Sequence, residues 1–179
     1  MQKVVVPLSK SKMSFLLALS ALFAIVGYWL FGMGATAIQS GRRYNEPWFV
    51  HAIGIASMVL GGLGATAIAR KLIDPSPGLV LDARGLTDNT SAMSAGLIPW
   101  SDIAGFETRR IQNQRILYVL LNDPNAFVSK FGPIKRALFN ANSRFGSSPV
   151  AITSTALSVD FDELATLVGR HLEAYRRRA

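Results

Sequence analysis

Two stretches within the first 73 residues contain no charged side chain, Ser14 to Gln39 and Pro47 to Ala69, and only a short loop holding Arg42, Arg43 and Glu46 parts them. Each exceeds the roughly 20 apolar residues that carry a helix across a bilayer. The expected architecture is therefore a membrane α-helical hairpin, with spans at about 14–39 and 47–69 inside an anchor region 1–73, followed by a soluble domain over 77–179. With about 60 residues in the membrane, roughly 100 remain for that domain, near the commonest size of an independently folding unit.

Charge placement suggests an orientation. Lys3, Lys10 and Lys12 precede the first span and Arg70 and Lys71 follow the second, against Arg42 and Arg43 in the loop. The positive-inside bias then puts both termini and the soluble domain in the cytoplasm. A cleaved signal peptide is the competing reading of the N-terminus, with Ala35-Thr36-Ala37 as its processing site. The largely apolar run from Met13 to Ile38 is much longer than the apolar region of such a peptide, so retention is expected. The chain has no cysteine, which excludes disulfides, thiolate nucleophiles and thiolate metal sites.

Within the spans, Gly27, Gly32 and Gly34 punctuate the first, while Ser57, Gly61, Ala65 and Ala69 recur every four residues along the second. Such a stripe of small side chains lets two helix backbones approach closely in lipid. Its expected partner is the first span of the same chain, with a second copy, and hence a homo-oligomer, as the alternative. His51 sits near the loop and reads as an interfacial residue rather than part of a proton relay.

Asp74-Pro75-Ser76-Pro77-Gly78 is a helix-stopping linker. Beyond it, Leu79 to Asp82 and Leu86 to Thr90 read as strands about an Ala83-Arg84-Gly85 turn. Gly96 to Trp100, Ile103 to Ile111 and Ile116 to Leu121 continue the pattern, the last two joined at Asn113-Gln114, so an antiparallel meander is expected. After Asp123-Pro124 the period changes. Phe127, Phe131, Ile134, Leu138, Ala141 and Phe145 recur at helical intervals, divided by Gly132-Pro133 into two short helices. Pro149 to Thr153 suggests a further strand. A final helix is expected from Asp160, with Glu163 at capping-box spacing and Phe161, Leu164, Val168, Leu172 and Tyr175 as its apolar face. Trp100, closing an apolar run before Ser101-Asp102, is expected to be a structural core residue.

Three groups of residues suggest chemistry. Gly62-Leu63-Gly64-Ala65-Thr66-Ala67, followed by Asp82, imitates a dinucleotide-binding glycine turn with its ribose-binding acid. A membrane-tethered NAD(P)-dependent enzyme using Gly62, Gly64 and Asp82 is thus the alternative function, disfavoured because the glycines lie inside an apolar span. Asp160, Asp162 and Glu163 cluster at a helix start, where capping and dipole complementarity account for them. The lone His171 has no nucleophile motif or metal-spaced partner. No catalytic residue, metal site or cofactor is expected.

The third group is the segment from Pro124 to Val159, which contains no Asp or Glu. Lys130, Lys135, Arg136 and Arg144 are interleaved there with Phe127, Phe131, Phe139 and Phe145, a composition that suits an anionic leaflet. These four cations are the expected contacts to lipid headgroups or to a membrane or cytoplasmic protein. Nucleic acid is not an expected partner, because 12 Lys and Arg against 9 Asp and Glu from Gly78 onward leave the domain at only +3.

Pro77-Gly78-Leu79, Gly85 to Ser91, Ile98-Pro99-Trp100-Ser101-Asp102-Ile103, Pro7-Leu8-Ser9-Lys10 and Phe161-Asp162-Glu163-Leu164 carry a resemblance over nearly the whole length. The chain resembles a family of uncharacterised small bacterial inner-membrane proteins with two transmembrane helices followed by a pleckstrin-homology-like (PH-like) domain. The resemblance implies an α+β domain with a bent antiparallel sheet closed by the C-terminal helix. The stretch from Pro124 to Phe145 is then a helical insertion. It implies no catalytic residues. The expected function is that of a noncatalytic, membrane-anchored binding or scaffolding protein whose PH-like domain lies near the inner leaflet.

Overall fold

The computed structural model describes residues 2–39, 46–91, 94–112 and 114–178. Arg42, Arg43 and Asn113 lie outside the described residues, as does the side chain of Phe145. The chain divides into two compact units, one made of Lys10–Pro75 and the other of Met1–Ser9 together with Ser76–Ala179.

The first unit is a pair of long helices, α1 (Lys10–Phe31) and α3 (Pro47–Ile73), with a short α2 (Ala35–Gln39) between them. At 1.5 Å per residue they extend about 33 and 40 Å, and both are long and apolar enough to cross a hydrocarbon layer of about 30 Å. The first span was expected to run on to Gln39. Helix α1 instead stops at Phe31, where Gly32 and Gly34 weaken the helical backbone. The second was expected to end at Ala69 but continues to Ile73, and Asp74 leaves the helical region (ψ 117°) because Pro75 follows it.

Close packing of α1 against α3 follows from glycine. A Cβ built on Gly61 falls 2.7 Å from the Ala24 amide nitrogen, and one on Gly27 falls 2.7 Å from the Gly54 carbonyl oxygen. Later residues of one helix thus meet earlier residues of the other, so the pair is antiparallel. His51 Nε2 lies 3.1 Å from the Met33 carbonyl oxygen, in the link between α1 and α2.

The second unit is α+β. Its first sheet comprises β1 (Val4–Val6), β2 (Leu79–Leu81), β3 (Gly85–Asp88) and β4 (Gly96–Pro99), antiparallel and in that order. A 3-10 turn over Trp100–Asp102 leads to a second antiparallel sheet of β5 (Ile103–Ile111), β6 (Gln114–Leu121) and β7 (Val150–Ile152). Helices α4 (Pro124–Ser129) and α5 (Pro133–Phe145) lie between β6 and β7 in sequence, and α6 (Phe161–Arg176) closes the chain. Both sheets and α6 contribute to one core that includes Leu79, Leu86, Ile98, Leu117, Ile152 and Leu164. Along β2 the pattern is the usual period of two, with Leu79 and Leu81 buried and Val80 between them partly exposed.

Strand β1 departs from the expectation that everything before Ile73 belongs to the membrane anchor. Val4, Val5 and Val6 pair with Leu81, Val80 and Leu79. The following residues are fastened too, since Ser9 N–H donates to Ala156 O (2.8 Å) and Ser158 N–H to Pro7 O (3.1 Å). β-branched valines suit a strand, but three residues are too few to announce one when the partner lies beyond the whole hairpin. The strands also form two sheets, with the break at the Trp100 turn, rather than the single bent sheet expected.

Candidate functional site

The insertion between β6 and β7 is built by two short helices. Asp123 Oδ1 accepts the Ala126 amide (2.9 Å) and Pro124 occupies the first turn, which together start α4. Gly132-Pro133 then ends that helix and starts α5. Phe127, Phe131 and Phe139 form a cluster with ring centroids 4.9 to 6.1 Å apart, and Phe127 and Phe139 are buried. The aromatic half of the segment therefore packs inward.

The four cations are not equivalent. Lys130 lies 3.9 Å from Asp102 Oδ2 and 5.8 Å from the Phe127 ring centroid. Lys135 is half-buried, donates to the Ser94 carbonyl oxygen and sits 4.8 Å over Phe131. Arg136 donates to Ser129 O (2.8 Å), at the negative end of α4, and closes the turn between the two helices. Arg144 is exposed near the end of α5. Three of the four thus have partners within the second unit.

The outer side of α5 reverses what its periodicity suggests. Ile134 and Leu138, one turn apart, are 78% and 41% exposed, whereas Phe139 is 2% exposed. The helical period is as read from the sequence, but its apolar ridge points to solvent. Beside the insertion lies an open groove of about 450 Å³ lined by Pro77, Val80, Asp88, Ser94, Phe131 and Lys135 among others. The buried Asp88 carboxylate in its wall is engaged by the Thr90 and Ala95 amides, each at 2.9 Å.

On the helical pair, Ser57 and Gly61 are buried, while Ala65 and Ala69 are only partly so. Gly54 belongs to the same close approach and was missed. It sits three residues before Ser57, a spacing the fourfold periodicity does not capture. Gly62 and Gly64 lie in the middle of α3, and the Gly62 carbonyl accepts Thr66 Oγ1 (2.8 Å), so they form no turn at a strand end. Asp82 is in the β2–β3 turn. Hydrogen bonds from Arg84, led by its backbone N–H, hold its carboxyl below the usual value.

The remaining candidates are structural as well. Asp160 caps α6 through the Glu163 amide (2.8 Å). Asp162 is doubly hydrogen-bonded by Arg115, which holds its carboxyl below the usual value, and the guanidinium stacks 4.4 Å over the Phe161 ring. The His171 ring stacks on Trp100 with centroids 6.3 Å apart, and its nitrogens face the Leu167 and Gln2 carbonyl oxygens at 2.8 and 3.3 Å. Trp100 is 1% exposed and donates through Nε1 to Asp82 O (2.8 Å). Among the described residues no three His, Asp or Glu side chains converge as a metal site. Comparison with protein-family models, with curated proteins and with solved structures finds no match to this chain.

Proposed function

We propose that this chain is a noncatalytic, membrane-anchored binding or scaffolding protein of the bacterial inner membrane, with a PH-like domain held at the cytoplasmic face near the inner leaflet. The observation that carries the reading is the place of the helical pair in the chain. It is inserted between β1 and β2, two strands paired to each other, through connections of only a few residues at Pro7–Ser9 and Asp74–Gly78. A soluble unit stitched into the chain on both sides of two membrane-length helices is confined to the surface those helices enter. The PH-like reading draws support from four strands plus three, a shared core and a C-terminal helix. The alternative, an NAD(P)-dependent enzyme, lacks support because Gly62 and Gly64 are interior helical residues and Asp82 is committed to Arg84.

Alkaline extraction of bacterial membranes, with calorimetric titration of the detergent-solubilised chain by NAD(P), tests this reading. The chain should stay with the membranes and show no saturable nucleotide binding. Release by alkali, or a saturable isotherm, overturns it.

A further inference from the structure

A helix packed on a protein core ordinarily turns its apolar stripe inward, yet α5 sends Phe139 inward and leaves Ile134 and Leu138 exposed. Ala137, also exposed, and Ala141 flank them, so the ridge has no polar side chain along its crest. By the 3.6-residue turn, Arg144 borders this ridge on its solvent side, while Arg136 and Asn140 occupy the face turned away from it. No carboxylate occurs anywhere from Pro124 to Val159, so the charged side chains of α5 itself, Lys135, Arg136 and Arg144, are all positive. An apolar ridge with a cation at its border complements an anionic bilayer surface, into which such a helix sinks its apolar side while the cation stays at headgroup level. The chain brings that surface with it, because this unit is covalently joined on both sides to helices long and apolar enough to span a membrane.

We propose that α5 is an interfacial helix that embeds Ile134 and Leu138 in the anionic leaflet and places Arg144 among its phosphates. This rests on the membrane anchorage proposed above and adds the docked face and its lipid partner. The ridge then does what the cations alone could not, since Lys130, Lys135 and Arg136 are engaged by the Asp102 carboxylate, the Ser94 carbonyl and the Ser129 carbonyl and exposed charges are screened by salt.

The absence of cysteine allows single-cysteine labelling of the full chain. Ile134→Cys, Leu138→Cys, Arg136→Cys, Asn140→Cys and, on α1, Phe23→Cys would each carry an environment-sensitive fluorophore in phosphatidylglycerol-containing vesicles. All five positions are exposed in the isolated chain, so differences among them report what covers them. Quenching by a lipid-borne quencher should be several-fold stronger at 134 and 138 than at 136 and 140, and should persist at high salt. If Phe23 is quenched while all four α5 positions behave alike, the α5 proposal is overturned and the anchorage stands. Shielding of 134 and 138 from an aqueous quencher without lipid quenching also overturns it, by showing a protein on the ridge. A Phe23 label that escapes the lipid quencher overturns the anchorage itself.

Discussion

Trp100 holds the joint between the two sheets. Its indole is buried, its Nε1–H satisfies the Asp82 carbonyl, and its ring stacks with His171 of α6. Replacing a buried aromatic by alanine costs about 3 to 5 kcal/mol, so Trp100→Ala should leave the soluble unit protease-sensitive in the detergent-solubilised full chain. Trp100→Phe keeps most of the apolar contact and leaves the Asp82 carbonyl unpaired, a loss of about 1 to 3 kcal/mol. It should fall between the two in limited proteolysis. The burial of Trp100 was legible from the apolar run it ends, whereas its partners Asp82 and His171 are remote in sequence and no local pattern names them. Asp162 supplies a pH dependence. Its folded carboxyl is held below 3.8 by Arg115, so the stability from this pair is complete above that pH and is lost as the pH falls through the folded value. Asp162→Asn should flatten the acid limb of a stability-against-pH curve below pH 3.8. Because the pair is exposed, the difference should be small and should vanish at high salt.

Among the elements, α3 offers adjacent glycines with opposite surroundings. A methyl group on Gly61 meets Ala24 and Ser20 backbone atoms at 2.7 and 2.8 Å, whereas one on Gly62 meets nothing within 4 Å. Overpacking typically costs about 1 to 3 kcal/mol. Gly61→Ala should therefore lower the thermal midpoint in detergent while Gly62→Ala matches the parent chain, and equal behaviour of the two would place the contact elsewhere. Strand β1 offers a similar pair. Val6 is 2% exposed and Val5 48%, so Val6→Asp buries an unpaired charge in the soluble core. Proteolysis should show the soluble unit loosened by Val6→Asp and unaffected by Val5→Asp. Most elements beyond Gly78 were legible because turn residues and periodicity are local signals. The direction of the α5 ridge was not, because a period of 3.6 states which residues share a face and says nothing about which face meets the sheet. The insertion's phenylalanines gave a partial signal, since Phe139 lies off the Ile134–Leu138 line.

For the whole molecule the governing fact is the order of the chain: a strand, two membrane-length helices, then the strand that pairs with the first. Pairing of Val4–Val6 with Leu79–Leu81 requires the residues before α1 and after α3 to meet on one side of any membrane the hairpin crosses. Under the proposed function that side is the cytoplasm, as the positive-inside bias of the flanking lysines and arginines suggests. Single-cysteine accessibility in intact cells tests this most directly, using a membrane-impermeant thiol reagent on Gln2→Cys, Asn45→Cys and Thr155→Cys. The account predicts labelling of Asn45→Cys in intact cells, with Gln2→Cys and Thr155→Cys labelled only after permeabilisation. Labelling of Gln2→Cys and Thr155→Cys from opposite sides, or of Asn45→Cys from the same side as both, would contradict it.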